Sequence, residues 1–167
     1  MNKKVSDERP INKVSVKPTH AGGVVFRITK KGTIKYLLVH PKMDTSVRVL
    51  PKGHIESDES KKECAIREVE EEAGVEAKIL SVRKEKNEDK KKIVIDTVDL
   101  GPKEKRKITK VYLMEYQGKV ETDENRDPKW FTFDEVMNVA TYDTVKELVA
   151  KADQIITKLI LQKANSK

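Results

Sequence analysis

The stretch from Gly53 to Val75, GHIESDESKKECAIREVEEEAGV, constrains this chain more than any other. Ser60-Lys-Lys-Glu63 is a capping box: the serine side chain and the glutamate three residues on satisfy each other's main-chain N–H groups, so a helix is expected to begin there. Gly74 stands where a left-handed residue would end it. At 3.6 residues per turn, Glu72 lies about 40° to one side of Glu68 and Glu71 about 60° to the other. The three carboxylates therefore share one narrow arc. Ala65, Ile66, Val69 and Ala73 fill the neighbouring arc, which is the face expected to pack. Glu70 points away.

Like charges three and four residues apart on a helix repel, at a cost of a few tenths of a kcal/mol per exposed pair. A helix shaped for stability alone would carry Lys at one of these positions. The cluster is therefore read as waiting for a cation. Oxygen-only ligands suit Mg²⁺, with Mn²⁺ as the alternative, rather than zinc. The competing reading is a solvated acidic face, and the spacing of the whole stretch decides between them.

That spacing runs Gly53, five residues, Glu59, seven residues, Arg67-Glu68-Val69, one residue, Glu71-Glu72, one residue, Gly74-Val75. It resembles the Nudix box at every fixed position. Nudix hydrolases cleave nucleoside diphosphates linked to another group. The resemblance implies an α/β fold, an α/β/α sandwich with a mixed, partly antiparallel sheet, and a small-molecule nucleotide substrate. It makes Glu68 and Glu72 metal ligands and Glu71 a ligand or the general base. Glu59 then supports them or bridges a second ion, and Arg67 holds Glu68 through a bidentate pair. The main-chain carbonyl of Lys52, just before the box glycine, is a further expected ligand, with Gly53 giving the backbone room to turn. His54 is a candidate phosphate contact.

Composition bounds the rest. With 167 residues the chain suits one domain with a sizeable core. The net charge of +7 favours polyanionic ligands, phosphates or nucleic acid, of which the small nucleotide is preferred. Cys64 is the only cysteine, which excludes an intramolecular disulfide and a thiolate zinc cluster. It reads as a packed thiol. No secretory h-region opens the chain and no long apolar run spans a membrane, so a cytoplasmic protein is expected.

Along the chain, residues 1–17 read as a polar tail and 18–163 as one domain. Strands are expected at Thr19–Thr29 and Thr33–His40 around a Lys-Lys-Gly turn, then at Ala77–Val82, Ile93–Val98 and Ile108–Tyr116. Two Lys-rich loops, residues 83–92 and 103–107, are candidates to flank a polyphosphate groove. Tyr112 falls where Nudix relatives present an aromatic to the base, with a core tyrosine as the other reading. Glu124, with Trp130 six residues later, resembles the diadenosine-tetraphosphate hydrolase branch, in which a loop glutamate approaches the metal from the side opposite the helix. Trp130 reads as structural. Thr132 opens a short helix. Thr144-Val-Lys-Glu147 reads as another capping box, opening a helix over 144–161 whose apolar stripe docks on the sheet, with a homodimer seam as the second reading.

LPKGHIE at the box entry resembles the diadenosine-polyphosphate and diphosphoinositol-polyphosphate hydrolases. Arg48 in place of Trp, Asp58 in place of Gly, and the lack of Tyr between Val75 and Gly101 depart from the first of these. The expected activity is divalent-metal-dependent hydrolysis of a dinucleoside polyphosphate such as diadenosine tetraphosphate. The alternatives are a diphosphoinositol-polyphosphate or 5′-RNA-end pyrophosphohydrolase and, from another class, a non-catalytic nucleotide- or RNA-binding module.

Overall fold

The computed structural model describes residues 16–83 and 85–166, so most of the tail read at residues 1–17 lies outside the described residues. Its sheet is built outward from β1 (His20–Ile28), and the sequence of that strand shows why. Ala21-Gly-Gly-Val-Val-Phe26 carries no polar side chain, and all of it is buried. A strand covered on both faces has this composition. Along His20–Phe26 it pairs in parallel with β8 (Ile108–Lys119). It pairs antiparallel with β2 (Ile34–Leu38) and, through His20–Gly22, with the short β3 (Lys52–His54). β8 also carries β4 (Val75–Ile79) and β7 (Val94–Asp99), both antiparallel, while β9 (Lys129–Thr132) flanks β2. β5 (Ser81–Val82) and β6 (Lys91–Lys92) form a separate small hairpin.

Alternation along the central strands divides the interior into two layers. Val25, Tyr112 and Met114 pack with Cys64, Ala65 and Val69 of α1 (Lys61–Ala73). Val24, Phe26, Val111 and Leu113 pack on the opposite face with Val136 of α2 (Phe133–Val139) and Leu148, Val149 and Ile156 of α3 (Asp143–Asn165). This is the expected α/β/α sandwich with a mixed sheet. The Tyr36 hydroxyl donates to Asp153 Oδ1 at 2.5 Å, which satisfies a buried phenol and fixes α3 on the sheet. Among the described residues no helix is long and apolar enough to cross a membrane.

Several boundaries differ from the sequence reading, and those of β4 and α3 have a physical reason. The strand expected at Ala77–Val82 begins at Val75 and leaves the sheet after Ile79. Gly74 turns the chain so sharply that Val75 is already paired with Lys119. The capping box expected at Thr144–Glu147 does not form: Tyr142 is the N-cap, with no side-chain bond, and α3 continues past 161 to Asn165. Its start follows from docking of Val145, Leu148 and Val149, which are buried, with Asp143 placing negative charge at the positive end of the helix dipole. The second capping box belongs to α2, where Thr132 Oγ1 accepts from Glu135 N and Glu135 Oε2 accepts from Thr132 N.

The junction of β1 with β3 carries the box into place, and Gly22 permits it. A Cβ there would fall closer than 3.0 Å to Pro51 O and to Cα and Cβ of Lys52, mostly backbone that cannot yield. Gly22→Ala is expected to cost about 2 kcal/mol and to lower Tm by about 4–8 °C in thermal unfolding. Gly118→Ala, in the same sheet, has open space around the new methyl and is the control.

Candidate active site

Local sequence sets α1 as expected. Ser60 Oγ accepts from Glu63 N at 3.2 Å and Glu63 Oε2 accepts from Ser60 N at 2.7 Å. At the other end Gly74 adopts φ 61° and ψ 36°, and its N–H donates to Glu70 O. Between these caps the apolar face anchors the helix on the sheet and swings the carboxylate arc to the end of β1 where β3 is attached. Glu68 and Glu72 are buried, 9% and 4% exposed, and Glu71 is more open.

Arg67 organises one side of the cluster. Its Nε and Nη2 donate to the two oxygens of Glu59, both at 2.7 Å, while Nη1 donates to Glu68 Oε1 at 2.8 Å and Glu71 Oε2 at 3.1 Å. Nη2 also donates to His54 O at 3.1 Å. The bidentate partner is therefore Glu59, not Glu68 as the sequence suggested. Glu59 reaches back from the loop before α1 and meets the guanidinium fork square on, whereas the adjacent Glu68 can offer only one oxygen. This pairing holds Glu59 down at about 2. A pKa depressed in the folded state adds stability that is present above about 4.5 and lost as pH falls towards 2. Glu59→Gln is accordingly expected to cost about 2 kcal/mol at neutral pH in urea unfolding. The difference from the parent should close as the titration is carried below pH 4.

The other side of the cluster is held by a residue that sequence reading missed. Arg126 Nη1 donates to Glu72 Oε1 at 3.1 Å, Nη2 to Glu124 Oε2 at 3.2 Å, and its main-chain N–H to Glu72 O at 3.1 Å. The signal available was a base two residues after Glu124. Even with Arg126 beside it, burial raises Glu72 to about 7, and repulsion from Glu68 adds to the rise. Burial likewise raises Glu68, against the pull of Arg67, and lowers Lys52, against that of Glu72. His20 is lowered to about 4 by burial and by repulsion from His54, Lys107 and Lys52.

Gly53 is needed for space. Its φ is not positive, unlike those of Gly32 and Gly74. A Cβ on Gly53 would sit within 3.0 Å of the Glu68 carboxylate carbon and both its oxygens.

Of the residues singled out from sequence, Lys52, His54, Glu68, Glu71, Glu72 and Glu124 line one cleft of about 530 Å³, joined there by His20, Lys107 and Arg126. Glu59 and Tyr112 line a neighbouring cavity, and Tyr112 is a core side chain, 2% exposed. Cys64 is fully buried with its thiol pushed up to about 12, first by burial, as expected of a packed group. Trp130 packs against Tyr116 and under Arg27, away from the cleft.

Among the described residues, no three His, Cys, Asp or Glu side chains already surround a common point; Arg67 and Arg126 hold the carboxylates in ion pairs instead. The donor chemistry nonetheless fits a hard divalent cation. It is all oxygen, two of its carboxylates are buried with raised pKa, and a glycine keeps clear the space beside one of them.

The NUDIX domain family matches residues 17–153 of this chain. A comparison with curated protein sequences finds no match. Among solved structures, a C. elegans Ap4A hydrolase binary complex is 23% identical with a TM-score of 0.66, over 83% of this chain and 97% of that one. A UDP-X diphosphatase is 17% identical with a TM-score of 0.59, over 89% and 68%. The NUDIX domain of Shewanella oneidensis NrtR, complexed with ADP ribose, is 19% identical with a TM-score of 0.58, over 89% and 94%. At these identities the likeness is one of fold.

Proposed function

Since this chain belongs to the Nudix hydrolase family, we propose that its carboxylate cleft holds Mg²⁺ and hydrolyses a phosphoanhydride bond of a dinucleoside polyphosphate such as diadenosine tetraphosphate. The broader activity comes with the family: the chain is a pyrophosphohydrolase of nucleoside diphosphate derivatives that works with a divalent metal. The observation that carries the finer reading is the meeting, in one cleft, of buried acids on α1 with Glu124 on a loop more than fifty residues further on.

Glu68 and Glu72 would hold the cation, with the carbonyl of Lys52 as a further oxygen donor, while Glu59, whose two oxygens are both taken by Arg67, would support the set from behind. A bound divalent ion offsets phosphate charge and lowers the pKa of the attacking water. Glu71, the most open of the three helix acids, takes the proton of that water at a carboxylate oxygen. The water oxygen bonds to phosphorus, the bridging P–O bond breaks, and the departing phosphate leaves as an anion. Arg67 fixes the orientation of Glu68 and Glu71, and Glu124 closes the cleft opposite α1. Lys52, His54 and Tyr112 are the substrate contacts in this reading, with Lys107 adding positive charge.

Support for the substrate comes from the bases and acids that share that cleft and from the likeness to the C. elegans Ap4A hydrolase. Lys105 and Lys107, which both bear on His20, favour a second reading: a diphosphoinositol polyphosphate or a 5′-triphosphate RNA end. A panel of diadenosine tetraphosphate, ADP-ribose, dGTP, inositol pyrophosphate and triphosphate-ended RNA, run with Mg²⁺ and with Mn²⁺, decides. Diadenosine tetraphosphate is expected to give the highest kcat/KM, and preference for any other substrate would reject it.

A further inference from the structure

Beside the carboxylate cleft lies a larger cavity of about 790 Å³, and His54 belongs to the walls of both. Four lysines face it: Lys17, Lys61, Lys62 and Lys110. Lys61 and Lys62 are the first two residues of α1, and neither main-chain N–H has a partner among the described residues. The positive end of the helix dipole therefore adds to the lysine charge. Lys61, Lys62 and Lys110 form no ion pair among the described residues. Burial lowers the Lys110 ammonium, and repulsion from Lys61 and Lys62 lowers it further. Two acids share the cavity. Glu59 is committed to Arg67, and Glu56 lies 4.0 Å from the same guanidinium.

A second, independent observation comes from Tyr112. It lines this cavity and is 2% exposed, yet its hydroxyl has no hydrogen-bond partner among the described residues. That hydroxyl is not one of the fully enclosed polar atoms, so it keeps access to the cavity that the rest of its side chain helps to wall. Lys110 Nζ stands 5.7 Å from the centre of its ring.

We propose that this cavity is a second phosphate-binding subsite, gripping the part of the substrate's phosphate chain that lies beyond the bond being cleaved. Lys61, Lys62 and Lys110 supply the charge, the Tyr112 hydroxyl supplies a directed donor, and His54 marks the passage between the two clefts. The volume is that of a small-ligand site. The inference rests on the neighbouring cleft being the hydrolytic one. It adds a selection rule: a substrate filling both clefts must be charged on each side of the scissile bond, which favours a chain of tetraphosphate length over a plain diphosphate.

The test uses the full chain with Lys61→Glu/Lys62→Glu. Acidic residues suit a helix start, so Tm should be kept. With diadenosine tetraphosphate the double variant should raise KM about tenfold, as expected for two lost charged phosphate contacts, and leave kcat within about twofold of the parent. With ADP-ribose KM should not move. Separately, inorganic tripolyphosphate titrated into the metal-free ¹⁵N-labelled protein should shift the amides at positions 61, 62 and 110 in the parent and not in the double variant. Tyr112→Phe should weaken that binding without lowering Tm. Tripolyphosphate shifts that never reach these amides, or that persist in the double variant, would overturn the subsite. Should the protein hydrolyse nothing in the panel while tripolyphosphate still moves them, the hydrolytic reading fails and the anion site stands.

Discussion

Glu72→Gln is expected to lower kcat by about three orders of magnitude, close to 4 kcal/mol of transition-state stabilisation, with the fold retained. Glu72 is the most deeply buried of the cleft acids and the one that Arg126 grips from across the cleft. An amide fills the same space and keeps one oxygen for Arg126, so what is lost is the charge. The stability consequence has the opposite sign. Glu72 sits at about 7 in the fold against an ordinary 4.5. Between these values the folded state binds the extra proton, so stability falls as pH rises through the window. The penalty is absent below about 4.5 and complete above about 7, with a ceiling of about 3 kcal/mol at 1.36 kcal/mol per pH unit. Metal-free Glu72→Gln should therefore be at least as stable as the parent at pH 8 and gain nothing at pH 4. Adding Mg²⁺ or Mn²⁺ at pH 8 should raise the Tm of the parent by mass action and leave the variant unmoved. Turnover within tenfold of the parent, or equal stabilisation of both proteins by the cation, would refute the assignment of Glu72.

Gly53→Ala is the second large effect, and here activity and stability should separate. The three atoms nearest the added methyl all belong to the end of the Glu68 side chain. The fold can absorb this by swinging one carboxylate aside, so Tm should change little, in contrast to Gly22→Ala. The proposed catalytic constellation cannot absorb it. A displacement of about 1 Å at a reacting centre is enough for a hundredfold loss, and kcat/KM is expected to fall by about that much or more. If the damage runs through Glu68, then Gly53→Ala added to Glu68→Gln should cost almost nothing beyond Glu68→Gln alone, the non-additivity of two changes acting on one group. Full additivity would place the role of Gly53 elsewhere. A Tm drop like that of Gly22→Ala would show that the backbone, not the carboxylate, had given way.

What the sequence determined by itself was α1 and the alignment of its acids. Both caps, the packed face and the shared arc of Glu68, Glu71 and Glu72 depend on hydrogen bonds and a 3.6-residue period that act within a turn or two, so they are written in consecutive residues. The central strands were legible for the same reason, since a run such as Gly22-Gly-Val-Val-Phe26 has only a buried strand to become. Tertiary structure alone decided the rest. Nothing local says that β8 runs parallel to β1, that Tyr112 ends in the core beside a basic cavity, or that the fork of Arg67 closes on Glu59 eight residues away. The grip of Arg126 on Glu72 joins residues 54 apart and depends on a loop crossing over the helix. Even the use of Gly53 changed, from a backbone that must turn to a methyl that must be absent, because the group it makes room for arrives from a different element. Local periodicity could place the acids side by side. Their burial, and with it the raised pKa of Glu72, came only when a sheet and a distant arginine were folded around them.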